Sequence, residues 1–362
     1  MHIVIDARII NSSTGTYVER LLHYLQQVDT THKYTILIPT KDKDFWQPTN
    51  PQFTVRFVDV PNYSFKEQWQ LKKILDELSP DLVHFCMPQQ PLLYRGKKVT
   101  TVHDLTLLKT YNSDKNWLVF HAKQLVGKAL FWMIARTNTA IITPTEFTKK
   151  DYVAFSGIDP AKVHVTYEAA EEQTGDTVPY KVPFERYLLY VGQQSDYKNV
   201  RRLAQAHQLL LQKDPDLGLV LVGKKNAAIQ ANEDFFIKKK YKNIHFTDFI
   251  ADEQRNWLYA HCSAYVFPSL MEGFGLPGLE AMAYGAPVVS SNATCLPEVY
   301  GEAAHYFDPN NTIDMADRIW EVLSDNGLRS TLITRGHVQV QNYSWKRMAE
   351  QTHAVYSGSL SS

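Results

Sequence analysis

Residues 264–299 read AYVFPSLMEGFGLPGLEAMAYGAPVVSSNATCLPEV, and this stretch decides the fold of the chain. It opens with a short apolar strand that ends at Pro268, because proline cannot donate to the hydrogen-bond ladder of a sheet. A glycine-rich loop follows, after which Leu279, Met282 and Ala283 recur at helical spacing. We therefore predict a strand, a loop and a short helix whose N-terminus faces the loop, followed by a second strand at GAPVV.

Two carboxylates bracket the turn: Glu272 lies in the loop, and Glu280 lies eight residues later on the predicted helix. Unpaired N–H groups and the positive dipole end at the start of a helix favour a phosphate or a developing oxyanion. Carboxylates instead accept hydrogen bonds from sugar and ribose hydroxyls. The pattern thus indicates a ligand that is half polyol and half phosphate. The alternative is that a surface glutamate and a helix-stabilising glutamate lie eight residues apart by chance.

The run EGFGLPGLEAMAYGAPVV, followed by SNATCLPEV, resembles the E-x7-E motif of the retaining glycosyltransferases of family 4. This resemblance covers nearly the whole chain and is strongest over residues 187–308. It implies an α/β fold of the GT-B type, in which two Rossmann-like domains, each a doubly wound parallel sheet, face a cleft. It also implies that the last helix crosses back to the first domain.

Length and composition are those of an ordinary globular protein with two domains. The chain has 362 residues, more than one hydrophobic core usually organises. Lys plus Arg and Asp plus Glu number 38 each, so no global field attracts nucleic acid. Three scattered cysteines are too few for a disulfide framework, and the opening MHIVIDARII lacks the features of a signal peptide. We predict a cytoplasmic protein without a nucleic-acid partner.

Strand-like and helix-like segments alternate along both halves of the chain, which predicts two doubly wound parallel sheets. Between the halves, residues 171–183 turn polar and proline-containing without periodicity, and we interpret them as a linker. The predicted domains are an acceptor-side domain at residues 1–175, a nucleotide-sugar-binding domain at residues 184–342 and the returning helix at residues 343–362.

The most apolar helix is predicted over residues 117–135. Four polar or charged residues interrupt it, namely His121, Lys123, Gln124 and Lys128. Its uninterrupted apolar runs are therefore shorter than the ~20 residues that a membrane span needs. We interpret it as a core helix. The alternative is a helix at a lipid surface, which would make the protein peripheral to the inner face of a membrane.

Two candidate site residues of the first half follow predicted strands. Gly15 stands alone in the first loop, which lacks the G-x-G-x-x-G of dinucleotide binders. The resemblance implies that this glycine approaches the diphosphate of a donor. His103 follows the strand at residues 99–102, at the edge where open α/β sheets bind ligands. The resemblance implies that His103 lies beside the donor sugar, whereas a lone histidine is more often structural.

The second half contributes YVGQQSDYKN, residues 190–199, where a strand, a glycine and an irregular loop precede a helix. Lys198 would lie beside the N-terminus of this helix, so that a cation and free amides converge on one point. The element resembles the VG-x5-KN of the family, whose lysine binds the donor diphosphate. Gln193 stands where many relatives have arginine, which lessens the charge neutralisation. The alternative for Lys198 is a solvated surface lysine.

The resemblance implies a retaining, metal-independent transfer of a hexose from a nucleotide diphosphate sugar to a glycan or lipid-linked acceptor. Such a step needs charge neutralisation on the leaving diphosphate and support for an oxocarbenium-like centre. The predicted catalytic residues are Glu272, His103 and Lys198. The predicted donor-binding residues are Gly15, Gln193, Lys198, Gly273, Phe274, Gly275, Leu276 and Glu280. Glu272 would hold donor-sugar hydroxyls and Glu280 the ribose, and whether Glu272 acts as a nucleophile stays open.

Two acidic pairs, Asp42/Asp44 and Asp214/Asp216, spell the D-x-D that metal-dependent glycosyltransferases of the other fold type use. Both lie in predicted turns or surface loops, where aspartate is favoured for local hydrogen bonding. Since no other ligand cluster is visible in the sequence, we predict no metal and no cofactor, with the nucleotide sugar as a substrate.

Two other functions remain open. A nucleotide-sugar epimerase cleaves and rebuilds the same bond on the same fold without an acceptor. A non-catalytic nucleotide-sugar-binding subunit is favoured by the glutamine at position 193. The overall pattern is most similar to mannosyltransferase-like members of the family, so GDP-mannose is the first donor to test.

Overall fold

The computed structural model describes residues 1–12, 14–110, 117–170 and 177–361, and within them the chain divides into two compact units. Unit 1 comprises Met1–Lys109, Leu118–Glu168 and Ser344–Ser362, and unit 2 is built mainly from Ala169–Tyr343. The first six residues of the predicted linker, 171–176, lie outside the described residues.

The described part of unit 1 contains a seven-stranded sheet. Its strands are β1 (His2–Asp6), β2 (Lys33–Ile38), β3 (Phe53–Phe57), β4 (Leu82–Phe85), β5 (Lys98–Thr101), β6 (Ala140–Thr143) and β7 (Val163–Val165). All neighbours pair in parallel, in the order β3-β2-β1-β4-β5-β6-β7. Strands β2 and β3 lie on one side of β1, and strands β5, β6 and β7 lie on the far side of β4. The point between β1 and β4 is therefore the switch point at which such sheets bind ligands.

The described part of unit 2 contains a six-stranded sheet of the same kind. Its strands are β8 (Tyr187–Val191), β9 (Gly218–Val222), β10 (Ile244–Phe246), β11 (Ala264–Phe267), β12 (Val288–Ser291) and β13 (Ala304–Phe307). All neighbours again pair in parallel, in the order β10-β9-β8-β11-β12-β13. The order reverses between β8 and β11. The prediction of two doubly wound parallel sheets is thus confirmed.

The helices connect the strands. They are α1 (Gly15–Val28), α2 (Lys72–Leu78), α3 (Thr106–Lys109), α4 (Trp117–Thr137), α5 (Glu146–Ser156), α6 (Val200–Leu210), α7 (Ala227–Lys238), α8 (Asp252–His261), α9 (Leu276–Ala283), α10 (Leu296–Tyr300), α11 (Thr312–Ser324), α12 (Asn326–Gln341) and α13 (Trp345–Ser361). The last of these, α13, packs on α1 within unit 1, as the fold class predicted. Tyr356 on α13 is buried and lies 2.6 Å from His84 Nδ1 on β4, which joins this helix to the sheet.

The apolar helix α4 is only partly a core helix. Phe131 and Ile134 in its second half are buried, as predicted. In contrast, Leu125 and Val126 are 70% and 69% exposed, because the amphipathic separation along this helix is weak. Within the described residues, no helix is both long enough and apolar enough to cross a membrane.

Residues 65–78 are helical throughout, as the apolar spacing of this segment favours, but they do not form one regular α-helix. The structure has a π-helical turn, Glu67–Leu71, before α2. Glu67 in this turn is buried and pairs with Arg8 at 2.6 Å, and Arg8 also pairs with Asp6 at 2.7 Å. A buried ion-pair network of this kind joins residues distant in the sequence, so helical periodicity alone could not reveal it.

Lys98 on β5 is a buried lysine. Its Nζ donates a hydrogen bond to the carbonyl oxygen of Tyr94 at 3.0 Å. Burial lowers the pKa of Lys98 from its ordinary 10.5 to about 8. The charge on Lys98 therefore destabilises the folded protein. This destabilisation is complete below pH 8 and disappears as the pH rises to 10.5, where Lys98 loses its proton in the unfolded chain too.

We expect Lys98→Met to raise the free energy of unfolding by about 1–2 kcal/mol at pH 7, because methionine removes the buried charge while filling similar space. Urea unfolding of the full chain at pH 7 and at pH 10 measures this, and the gain should be smaller at pH 10. Lys33→Met, at an exposed position of β2, is the matched control and should give no gain. A loss of stability at both pH values in Lys98→Met would contradict the expectation.

Candidate functional site

Two loops of unit 2 meet at its switch point. One follows β8, contains Gly192 and Gln193, and ends at Lys198 in a short 3₁₀ turn before α6. The other follows β11 and contains Glu272. Because β8 and β11 are neighbours in a parallel sheet, both loops leave the same edge side by side. The topology therefore brings together the two motifs that the sequence showed 74 residues apart.

Lys198 and Glu272 form an ion pair. Lys198 Nζ donates to Glu272 Oε1 at 2.7 Å, and the two side chains are 17% and 12% exposed. Burial disfavours the charged lysine, but the Glu272 carboxylate outweighs that cost, so the pKa of Lys198 lies above its ordinary value. Lys198 is thus charged at neutral pH and partly shielded from water. An incoming anion has to compete with Glu272 for it.

Asn199 holds the two loops together. Its side-chain amide donates to the carbonyl oxygens of Pro268 at 3.0 Å and Pro309 at 2.8 Å. The backbone N–H of Leu270 also donates to the carbonyl oxygen of Tyr197 at 2.8 Å. Asn199 has a positive φ of 61°, a conformation that asparagine tolerates better than most residues. The sequence pattern predicted Asn199 only as a helix start, although the Lys-Asn pair of the motif was a visible signal.

The segment SNATCLPEV supports Glu272 from the other side. The backbone N–H of Glu272 donates to Thr294 Oγ1 at 3.2 Å, and Cys295 Sγ donates to the carbonyl oxygen of Glu272 at 3.3 Å. The loop is therefore fixed at its backbone, and the position of the carboxylate follows from it.

Gly275 allows the chain to turn from the loop into α9. It has a φ of +94°, and a Cβ there would lie 2.6 Å from both Leu296 Cδ2 and the Tyr300 hydroxyl. The Tyr300 hydroxyl donates to the Gly275 carbonyl oxygen. Pro277 occupies the first turn of α9 and has no N–H to offer, so fewer donors remain at this helix start. The predicted glycine loop and helix start are present, and the donor-binding role of Gly275 and Leu276 stays a prediction.

The ring of Phe274 is buried. It is 4% exposed and packs edge to face on Tyr343, with 5.6 Å between ring centroids. A donor contact of Phe274 is thereby restricted to its backbone.

Gln193 is exposed, and its carbonyl oxygen accepts a hydrogen bond from the Tyr190 hydroxyl at 2.5 Å. The donor-binding roles predicted for Gln193 and Gly273 stay predictions.

Glu280 on α9 has partners of its own. The Tyr259 hydroxyl on α8 donates to Glu280 Oε2 at 3.2 Å. Burial raises the pKa of Glu280, although the nearby positive charge of Arg255 opposes this shift. Tyr259 and Arg255 were not predicted from the sequence, because neither belongs to a motif. Glu280 and Glu272 thus lie in the same unit with different partners.

His103 lies at the carboxyl edge of the unit 1 sheet, just after β5. Its Nε2 donates to the carbonyl oxygen of Cys86 at 3.0 Å, since a carbonyl can only accept. Its Nδ1 lies 3.4 Å from Glu168 Oε1, and its ring contacts Tyr17 edge to face at 4.7 Å. Glu168 was not predicted from the sequence, although its position after β7, at the same edge of the sheet, was a visible signal.

Gly15 is the first residue of α1, and packing within unit 1 requires it to be glycine. A Cβ at this position would lie 1.9 Å from the carbonyl oxygen of Ile10. The close approach is thus to the chain's own backbone. The predicted contact of Gly15 with a donor diphosphate stays a prediction.

Comparison with known proteins matches both halves of the chain. A model described as "Glycosyltransferase Family 4" matches residues 14–173, and one described as "Glycosyl transferases group 1" matches residues 180–339. O-antigen chain mannosyltransferase B of Escherichia coli is 29% identical over 279 residues, which cover 72% of this chain and 70% of the relative. A serotype-specific mannosyltransferase WbdA of Escherichia coli is 28% identical over 264 residues, 70% of this chain but 32% of that longer relative.

Two solved structures share the fold over almost the full length. Sucrose-phosphate synthase from Thermosynechococcus elongatus is 17% identical, with a TM-score of 0.76 and coverage of 99% of this chain and 98% of the other. Anabaena HepE in complex with UDP and glucose is 16% identical, with a TM-score of 0.75 and coverage of 98% and 99%. At these identities the likeness establishes the architecture alone.

Proposed function

We propose that this chain, which belongs to the glycosyltransferases of family 4, transfers a hexose from a nucleotide diphosphate sugar to a glycan or lipid-linked acceptor. We further propose that the reaction retains the anomeric configuration and needs no metal ion. The observation that carries this proposal is the pair of Lys198 and Glu272 in the two loops at the unit 2 switch point. Mannose is the first hexose to test, because curated relatives that cover about 70% of the chain are named mannosyltransferases.

The ion pair supports the chemistry of transfer. The leaving diphosphate gains negative charge as the sugar departs, and a shielded lysine stabilises that charge more strongly than a solvated one. When the diphosphate binds Lys198, it replaces Glu272 as the partner of the ammonium group. The released carboxylate then faces donor-sugar hydroxyls near the anomeric carbon, where positive charge develops. In this mechanism the lysine supplies the charge that a metal ion supplies in other glycosyltransferases.

Glu280 would bind the ribose. Tyr259 donates to its Oε2, and a carboxylate can accept a further hydrogen bond from a ribose hydroxyl. The amides of Gly275 and Leu276 at the start of α9 would contact the diphosphate, with the helix dipole adding to the attraction. The roles of His103 and Gly15 of unit 1 stay predictions from the sequence.

A thermal-shift panel with GDP-, UDP- and ADP-sugars tests donor binding, and we expect GDP-mannose to raise Tm because a ligand that binds only the folded state stabilises it. The stabilising donor is then incubated with acceptor glycans in the presence of EDTA, and the anomeric configuration of the product is read by NMR. Conversion of the donor without an acceptor would indicate an epimerase, and binding without turnover a non-catalytic subunit. If no nucleotide sugar raises Tm, the donor-site assignment is wrong.

A further inference from the structure

Three potential metal ligands from opposite ends of the chain meet on unit 1. Asp29 is the residue directly after α1, His32 lies three residues later, and His353 lies on α13. One ligand atom from each of these residues lies within 4.8 Å of the other two. A carboxylate and two imidazoles form a donor set that suits zinc. This cluster was not predicted from the sequence, because an Asp-x-x-His alone is a weak signal and His353 is remote in sequence.

The spacing of the ligand atoms fits one ion. Two ligands that bind a tetrahedral zinc at ~2.1 Å each lie about 3.4 Å apart. His353 Nε2 lies 3.3 Å from Asp29 Oδ2, which is already this separation. His32 Nδ1 lies 2.6 Å from the same oxygen, a hydrogen-bond distance. A small displacement of the His32 ring would open the space for an ion.

The surroundings orient the carboxylate toward the two imidazoles. Asp29 Oδ1 accepts hydrogen bonds from the backbone and hydroxyl of Thr31 at 2.7 and 2.8 Å. Tyr34 donates its hydroxyl to Oδ2 at 2.5 Å, as an outer-shell partner of a metal-binding carboxylate does. The carboxylate is therefore fixed in place.

His353 provides a second and independent observation. Its Nε2 is buried and makes no hydrogen bond within the described residues, although it lies close to Asp29. A buried ring nitrogen that makes no hydrogen bond costs free energy unless another group or an ion satisfies it. The side chains of His32 and His353 are 16% and 26% exposed, so an ion can reach the cluster from solvent.

We propose that Asp29, His32 and His353 bind one zinc ion, with water as the fourth ligand. The ion would cross-link α13 to the turn after α1 and so stabilise unit 1. This site is independent of the proposed sugar transfer, since it contains none of the residues assigned to that reaction.

The full-length protein, stripped of metal with a chelator, is titrated with Zn²⁺ by calorimetry. We expect one high-affinity ion per chain and a rise in Tm on the order of 3 °C or more at saturation. Co²⁺ in place of Zn²⁺ should give the visible absorption bands of a four-coordinate site with nitrogen and oxygen ligands. No binding, together with no such bands, would overturn the proposal.

His32→Gln and His353→Gln should each weaken Zn²⁺ binding by at least roughly tenfold and abolish the rise in Tm. The matched control is His23→Gln, an exposed histidine of α1 outside the cluster, which should bind Zn²⁺ as the unchanged protein does. Circular dichroism in EDTA checks that each variant is folded, and His32→Gln alone decides the outcome if His353→Gln does not fold. Equal Zn²⁺ affinity in the unchanged protein and the folded histidine variants would overturn the proposal.

Discussion

Replacing Glu272 with glutamine should lower kcat/KM for sugar transfer by about a hundred- to a thousand-fold, the range seen when one group that stabilises transition-state charge is removed. Glutamine keeps the size and one acceptor oxygen but loses the negative charge. That charge balances Lys198 before the donor binds and, in the proposed reaction, supports the positive anomeric centre afterwards. The backbone contacts of residue 272 with Thr294 and Cys295 do not involve the side chain, so the loop should keep its position.

Steady-state kinetics with saturating acceptor measure this loss. Glu302→Gln is the matched control, since Glu302 is a 93%-exposed glutamate of the same unit whose carboxylate lies 3.7 Å from Arg335, and its kinetics should not change. Glu280→Gln should act mainly on donor KM, because Glu280 is assigned to the ribose. Unchanged kcat/KM in a folded Glu272→Gln protein would exclude Glu272 from the reaction.

Lys198→Ala should lower kcat/KM by roughly ten- to one-hundred-and-fifty-fold. The reason is the loss of a charge-assisted hydrogen bond to the donor diphosphate, worth about 1.5–3 kcal/mol. In the free protein the same change leaves the Glu272 carboxylate, 12% exposed, without its cation. The variant should therefore also give a smaller rise in Tm with the nucleotide sugar than the unchanged protein gives.

Lys225→Ala provides the comparison. Lys225 is also a paired lysine of unit 2, with its Nζ 2.9 Å from Glu233, but it is 48% exposed and lies outside the two loops. Its kinetics should match those of the unchanged protein. The double variant of Lys198→Ala with Glu272→Gln should lose less than the product of the two single losses, because the residues act as one unit. Fully multiplicative losses would show that the ion pair has no part in the reaction.

Much of the fold follows from local patterns. The strands of unit 2 are short runs, mostly apolar, that alternate with helices as predicted. Thr145 caps α5, because its side chain accepts a hydrogen bond from the Thr148 N–H at 3.1 Å. These features depend on a few neighbouring residues, which is why periodicity and capping rules identify them. The sequence patterns missed two features. The π-helical turn at Glu67–Leu71 contains Glu67, whose partner Arg8 is distant in the sequence. The exposed Leu125 and Val126 lie on a helix whose amphipathic separation is weak.

For the site, the sequence by itself determined the residue types and their place at strand ends: Glu272 and Glu280 around a glycine loop, and Lys198 before a helix. It determined too that the two halves of the chain are separate α/β sheets. Only the tertiary structure decided which groups meet. The pairing of Lys198 with Glu272, of His103 with Glu168, and of Asp29 with two histidines depends on strand order and helix packing. Those are set by the burial of whole faces, so no local spacing encodes them.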